Sequence, residues 1–262
     1  MAGAASEERM DRTAETNASN RAKQTQSNTT GQPTRTNRVA GERRRRRPTK
    51  SGSILSEDVI VECAVRLIGH HGAEALTVRR LGAALGCDPT AVYRYFRNTD
   101  DLLLAIADFL IGETLTGYRP GPDWVASLRE LGLRVRDGHL RHPRVAIVAA
   151  ARVTRRHNEF RAVELGVSLL LSAGFSPADA ARYYHVFIDT VLAHAALEAS
   201  YAALAPEVRE ADDRSWEETY RMLPAADYPA IGAVRPHLAA GMSGSPFEDV
   251  LDLLLESLAR RV

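Results

Sequence analysis

An all-α fold, with a compact three-helix unit followed by a larger helical one, is what this 262-residue chain predicts. Three observations carry that expectation. After residue 54 the apolar residues recur at intervals of three and four, and the strict alternation of a half-buried strand is absent. Proline, glycine and capping residues fall at the ends of those periodic stretches. Residues 77–103, TVRRLGAALGCDPTAVYRYFRNTDDLL, read as two short helices joined by a tight glycine turn, the second carrying outward Thr90, Arg94 and Tyr95.

The first helix opens at Ser56, a good N-cap, and runs to about His71 with Ile60, Ala64, Leu67 and Ile68 as its buried stripe. Thr77 caps the second, whose inward positions are Val78, Leu81 and Leu85 and whose first turn holds Arg79 and Arg80. Gly86 ends it, because a tight stop calls for the left-handed conformation that glycine tolerates. Asp88 caps a third helix with Pro89 at its first position, where a missing amide hydrogen costs nothing. Val92 and Phe96 face inward there, while Thr90 and Arg94 share another face beside Ala91 and Tyr95. Three helices joined in this way are the sequence form of a helix-turn-helix, whose second helix of the pair enters the DNA major groove. On the two-helix pattern alone, a purely structural helical hairpin stays open as an alternative.

The string from Ile54 to Leu103, ILSEDVIVECAVRLIGHHGAEALTVRRLGAALGCDPTAVYRYFRNTDDLL, resembles the N-terminal domain of the TetR family of transcriptional regulators along its whole length. The resemblance implies that Thr77, Arg79, Tyr93 and Tyr95 touch the phosphate backbone and that Pro89, Thr90 and Arg94 face bases. Arg80, in the same turn as Arg79, is counted with the DNA-facing residues. Where the family usually has lysine this chain has Thr99, followed by Asp100 and Asp101 in what makes a good helix start.

Charge is unevenly divided. The whole chain is +1, but residues 1–53 hold 12 Lys plus Arg against 5 Asp plus Glu, and the remaining 22 basic and 28 acidic residues give −6. Residues 1–53 are rich in Ser, Thr, Asn, Gln and Gly, and a disordered basic tail is expected there. Its sharpest element is the run Arg43, Arg44, Arg45, Arg46, Arg47, an arm that could lie along phosphates or in a neighbouring minor groove, or remain a solvated leader. Removing residues 1–50 is expected to weaken binding to all DNA sequences and to flatten its dependence on salt; an unchanged salt slope in a titration of DNA binding would refute the arm.

A helix-turn-helix domain of 54–101 then leaves residues 102–262 for a second unit. Residues 102–115 continue as a connecting helix, followed by helices at 123–139, 143–151 and 159–173. A long helix starts at Ser176 with Pro177 in its first turn and reaches about Leu204. Residues 205–244, rich in Pro, Gly and charge, are expected to form a long loop with one or two short helices. Residues 247–261 close the chain as an amphipathic helix, apolar at Val250, Leu251, Leu254, Leu255 and Leu258. The segments AGFSPADAARYYHVFIDTVLAHAALEAS and PFEDVLDLLLESLARRV resemble the last two long helices of the tetracycline-repressor branch of the family. That resemblance implies an effector-binding and dimerisation domain, with helices about 176–204 and 247–261 forming the homodimer interface. A long helix apolar on more than one face must bury both, which agrees. A twofold dimer implies a palindromic operator in double-stranded DNA.

The same resemblance implies a pocket for a small hydrophobic organic effector. Candidate lining groups are Phe109 on the connecting helix, His139 and His142, and Tyr184, His185, Ile188 and Asp189 on the long helix. The spacing of His139 and His142 suits a metal, but a cation at a helix C-terminus is the favoured reading. His185 and Asp189, four apart, suit a surface pair. An ungapped match puts Ile147 where the tetracycline repressor has its magnesium-binding histidine and Glu198 where it has an acidic metal-shell residue, so chelated tetracycline is not expected as the ligand. No metal and no cofactor are expected.

Neither GxGxxG, GxxxxGK[ST] nor HExxH occurs, and Gly241 to Ser245 fail GxSxG at the last position, so catalysis is not expected. No apolar run approaches a membrane span and no secretory signal is visible, which predicts a cytoplasmic protein. Cys63 and Cys87 are read as small apolar residues. The expected function is a dimeric repressor released from a palindromic operator by a small organic effector; a DNA-binding regulator without such a ligand is the alternative.

Overall fold

Helix α1 (Glu57–His71) begins where Ser56, in extended conformation, accepts the amide of Val59 at 3.3 Å. Its buried set, Ile60, Val61, Cys63, Ala64, Val65 and Ile68, is wider than the expected stripe, and Leu67 is only half-buried. The reason is that α1 is covered from several sides, by the two helices that follow and by a later short one. The structure is a computed structural model and describes residues 54–242 and 244–262, the side chains of 239–242 excepted. The expected tail 1–53, including Arg43 to Arg47, lies outside the described residues.

Helix α2 (Val78–Leu85) is capped by Thr77, which accepts the Arg80 amide at 3.2 Å, and is ended by Gly86 at φ 64°, in the left-handed region. The element after it is a 3-10 turn, Pro89–Arg94, where an α-helix was expected. Asp88 winds it tightly by accepting both the amide of Thr90 at 2.8 Å and its hydroxyl at 2.6 Å. With three residues per turn, Ala91 swings inward next to Val92 and Phe96 in place of sharing the outer face.

Helix α3 (Thr99–Leu115) starts from Asn98, which accepts the Asp101 amide at 2.8 Å. It is buried on nearly all sides, with Leu102, Leu104, Ala105, Ile106, Ala107, Asp108 and Leu110 each buried. The boundary expected between 101 and 102 therefore falls inside a continuous helix. The described residues cluster as one compact unit.

Helices α4 (Trp124–Arg141), α5 (Pro143–Ala149), α6 (His157–Ser172) and α7 (Pro177–Ala202) follow. Asp123 caps α4 and Ser176 caps α7, as their positions predict. Helix α6 has no capping side chain of its own. Asp108 of α3 takes that role from outside, accepting the Glu159 amide at 3.0 Å, the Asn158 side-chain amide at 3.0 Å and the Thr154 hydroxyl at 3.2 Å.

Within 205–244, where a long loop with one or two short helices was expected, two full-length helices stand, α8 (Pro206–Met222) and α9 (Pro229–Met242). Pro206 and Pro229 occupy first positions, where proline starts a helix, so prolines that read as loop markers are helix starts. No residue of α8 is buried, and pairs one turn apart support it: Arg221 on Glu217, and Trp216 stacked on Tyr220 at 3.8 Å between ring centres. Helix α10 (Phe247–Ala259) is tied to α4 by Arg129, which donates to Asp252 at 2.6 Å and to Glu248 at 2.8 Å.

Two cores result. The first gathers Leu55, Ile60, Ile68, Leu81, Val92, Phe96 and Ile106 of the helix-turn-helix region, and is closed by Val145 and Ala149 of α5. The second lies between α4, α6, α7 and α10, around Leu128, Leu170, Phe187, Leu251 and Leu255.

Candidate functional site

On the helix-turn-helix, Thr77, Arg79, Arg80, Pro89, Thr90, Tyr93 and Arg94 are all exposed, Tyr93 to 52%. They form an outward set on a rigid base. That base depends on the contact between α2 and the reading turn: a Cβ on Gly82 would sit 2.9 Å from the Pro89 Cα and 3.1 Å from the Cys87 carbonyl oxygen, so only glycine lets the turn come so close. Tyr95 departs from its expected phosphate-facing role. It is half-buried, and its hydroxyl donates to the Leu55 carbonyl at 2.7 Å, tying the reading turn to the chain before α1. The bonds from Thr90 hold the Asp88 carboxyl below the usual range.

Three arginines join this head to the rest. Arg144 donates to the Gly69 and His70 carbonyls that end α1, at 3.2 and 3.1 Å. Arg156 meets Asp101 at 2.7 Å, and Arg152 meets Asp100 at 2.6 Å. The Arg97 amide and the Arg156 guanidinium keep the Asp101 carboxyl below its ordinary value.

Between α3, α4, α6 and α7 lies a cavity of about 330 Å³, within the range of small-molecule sites. Leu110, Ile111, Leu131, Val135, Ala162 and Leu192 are among its apolar wall residues. Of the seven expected lining residues, His139, Tyr184, His185, Ile188 and Asp189 reach it, with His185 and Asp189 exposed at its rim. Phe109 does not: it faces the other side of α3 and packs against the first core. Nor does His142, which stands at the junction of α4 and α5 with Nε2 3.0 Å from a Glu113 carboxylate oxygen, though not in hydrogen-bonding orientation. His139 is buried, its Nδ1 2.8 Å from the Val135 carbonyl, and burial pushes its pKa down, so it is a neutral wall residue and not the expected helix-end cation. Burial, reinforced by the charges of Glu159 and Asp189, raises the Tyr184 hydroxyl to about 12. Arg152 and Glu159 also line the cavity and were not anticipated, because they lie at the link into α6, where no periodicity marks an inward side.

Ile147 is 47% exposed and Glu198 is paired with Arg136 at 2.6 Å. Among the described residues no group of three or more His, Cys, Asp or Glu stands close enough to hold a metal, and no helix is long and apolar enough to cross a membrane.

An exposed reading turn on a helix-turn-helix, continued by a helix that walls an apolar cavity, defines a DNA-binding transcriptional regulator. The model of the tetR family of bacterial regulatory proteins matches residues 60–106, and that of the tetracycline-repressor-like C-terminal domain matches residues 117–262. The chain belongs to the TetR family, in its tetracycline-repressor-like branch. It is 27% identical over 188 residues to an HTH-type transcriptional regulator of Saccharopolyspora erythraea, covering 72% of this chain and 78% of that one. It is likewise 27% identical over 220 residues to the class C tetracycline repressor of Escherichia coli, covering 79% and 91%. Its fold matches ActR of Streptomyces coelicolor, solved in complex with actinorhodin, with a TM-score of 0.68 and 25% identity over 78% of this chain and 96% of that one.

Proposed function

We propose that this chain is a dimeric repressor in the cytoplasm that leaves a palindromic operator when a small, mostly apolar organic molecule enters the cavity. The observation that carries this reading is the course of α3, which begins under the reading turn and ends as a wall of the cavity through Leu110, Ile111 and Thr114. Arg152 reinforces the link, since it lines the cavity and holds Asp100 at the start of the same helix. A ligand shifts the balance between DNA-bound and free forms only through its different affinity for the two, and a wall shared with the head supplies that difference. The complex of the similar protein ActR with actinorhodin supports an organic effector. For the dimer, α7 and α10 bury one face internally and still expose Val186, Leu197 and Leu253, the last to 65%. Four such helices from two copies would cover these residues.

Within the head, Thr77, Arg79, Arg80 and Tyr93 hold phosphates, and Pro89, Thr90 and Arg94 face bases. Selecting bound fragments from genomic DNA is expected to return a palindrome; a set without one would overturn specific recognition. On that operator, Arg94→Ala should cost about 1–3 kcal/mol and relax discrimination at particular positions, whereas Tyr93→Phe should weaken operator and random DNA alike. Equal losses for Arg94→Ala on both DNAs, measured by electrophoretic mobility, would remove it from base reading. Effector control is tested by release from the operator together with thermal stabilisation across a panel of apolar metabolites. Operator binding that no compound perturbs would leave a regulator without a small-molecule ligand.

A further inference from the structure

One buried nitrogen in the cavity wall has no partner among the described residues. His139 is 9% exposed, and its Nδ1 lies 2.8 Å from the Val135 carbonyl oxygen. A carbonyl only accepts, so Nδ1 carries the ring hydrogen of the neutral imidazole, and Nε2 is left as a lone-pair acceptor. Nε2 is buried and meets no hydrogen-bond partner. Three neighbouring polar groups on the cavity are already engaged. The Thr114 hydroxyl donates to the Leu110 carbonyl at 3.1 Å, Arg152 is held by Asp100, and Glu159 accepts from the Thr154 hydroxyl and the Arg155 amide. The rest of the wall is largely aliphatic. A buried acceptor left unmatched is costly, and in an apolar cavity the occupant is what can match it.

We infer that the effector is an uncharged, mostly apolar molecule carrying a hydroxyl or N–H group that donates a hydrogen bond to His139 Nε2. This rests on the cavity being the effector site. A carboxylate or phenolate would bring acceptors alone against the lone pair and lose its hydration among aliphatic side chains. Burial, which holds the imidazole neutral, keeps Nε2 in its accepting form.

A matched series of 2-naphthol, 2-methoxynaphthalene and naphthalene separates the donor from the apolar surface. Titration calorimetry on the full chain at neutral pH is expected to show 2-naphthol binding about tenfold more tightly than the other two. In His139→Phe the three should fall within about twofold of each other, because the apolar contacts stay while the acceptor goes. With 15N-histidine labelling of the unaltered chain, the His139 Nε2 resonance should shift upfield with 2-naphthol and not with its methyl ether, a readout that needs no variant to fold. Equal affinities for all three in the unaltered chain would overturn the donor requirement and leave the cavity reading intact. A preference for 2-naphthol that persists in His139→Phe would overturn the role of His139. Failure of all three to bind would overturn the cavity reading itself and this inference with it.

Discussion

Gly82→Ala is expected to bring operator binding down to the level of random DNA while the chain stays folded. An alanine at this place would ordinarily favour a helix by about 1 kcal/mol over glycine. Here the new methyl meets backbone at 2.9 Å from Pro89 Cα and 3.0 Å from Pro89 N, and a backbone cannot rotate aside as a side chain can. The reading turn must move off α2, carrying Thr90, Tyr93 and Arg94 with it. Base contacts depend on placement to a fraction of an ångström, whereas attraction to phosphates does not. The loss is therefore confined to the specific part of binding, about a thousandfold or more on a selected operator. Electrophoretic mobility with operator and random duplexes, beside circular dichroism, reads both parts. Operator affinity within about threefold of the unaltered chain would show that the close approach of α2 and the turn does not set the head.

Gly166→Ala is expected to keep operator binding and abolish release by the effector. Gly166 lies on α6 against the Tyr184 ring, and an added Cβ would stand 2.5 Å from Cε2 and 2.7 Å from Cδ2. Tyr184 is buried between α6 and the cavity, so the open direction for the displaced ring is the cavity itself. Overpacking of this kind costs about 1–3 kcal/mol, which on effector binding is about tenfold or more in affinity. Thermal stabilisation by 2-naphthol should shrink to near nothing in this variant, while the operator complex forms as before. Full stabilisation would mean that the ring has another way out and that Tyr184 does not bound the ligand space.

Most of the helix boundaries were legible because they are written in local chemistry. Ser56, Thr77, Asp88, Asp123 and Ser176 each cap the helix they precede, and Gly86 takes the left-handed turn. What was not legible depends on partners distant in the chain. Tyr95 has the same pattern whether it meets phosphate or the Leu55 carbonyl, and only the return of residue 55 to the reading turn decides. Phe109 and Ile111 are two apart on α3, and which faces the cavity follows from where α4 and α6 lie. Asp108 reads as an odd acid in an apolar helix until the bare start of α6 is placed against it. The length of helices α8 and α9 was missed for the opposite reason: with so little burial, α8 lacks the apolar stripe by which a helix is traced.

The closing of the first core by Val145 and Ala149 has a consequence for the order in which the protein is made. Residues 55–110 leave the ribosome before α5 and carry the residues proposed to face DNA in the head, yet one side of their core stays uncovered until α5 has been synthesised. Regions that fold during synthesis ordinarily do so from the N-terminus onward. In this chain the head reaches its final packing only once the segment leading into the cavity is present. No nascent chain ending before α5 then carries a finished reading head.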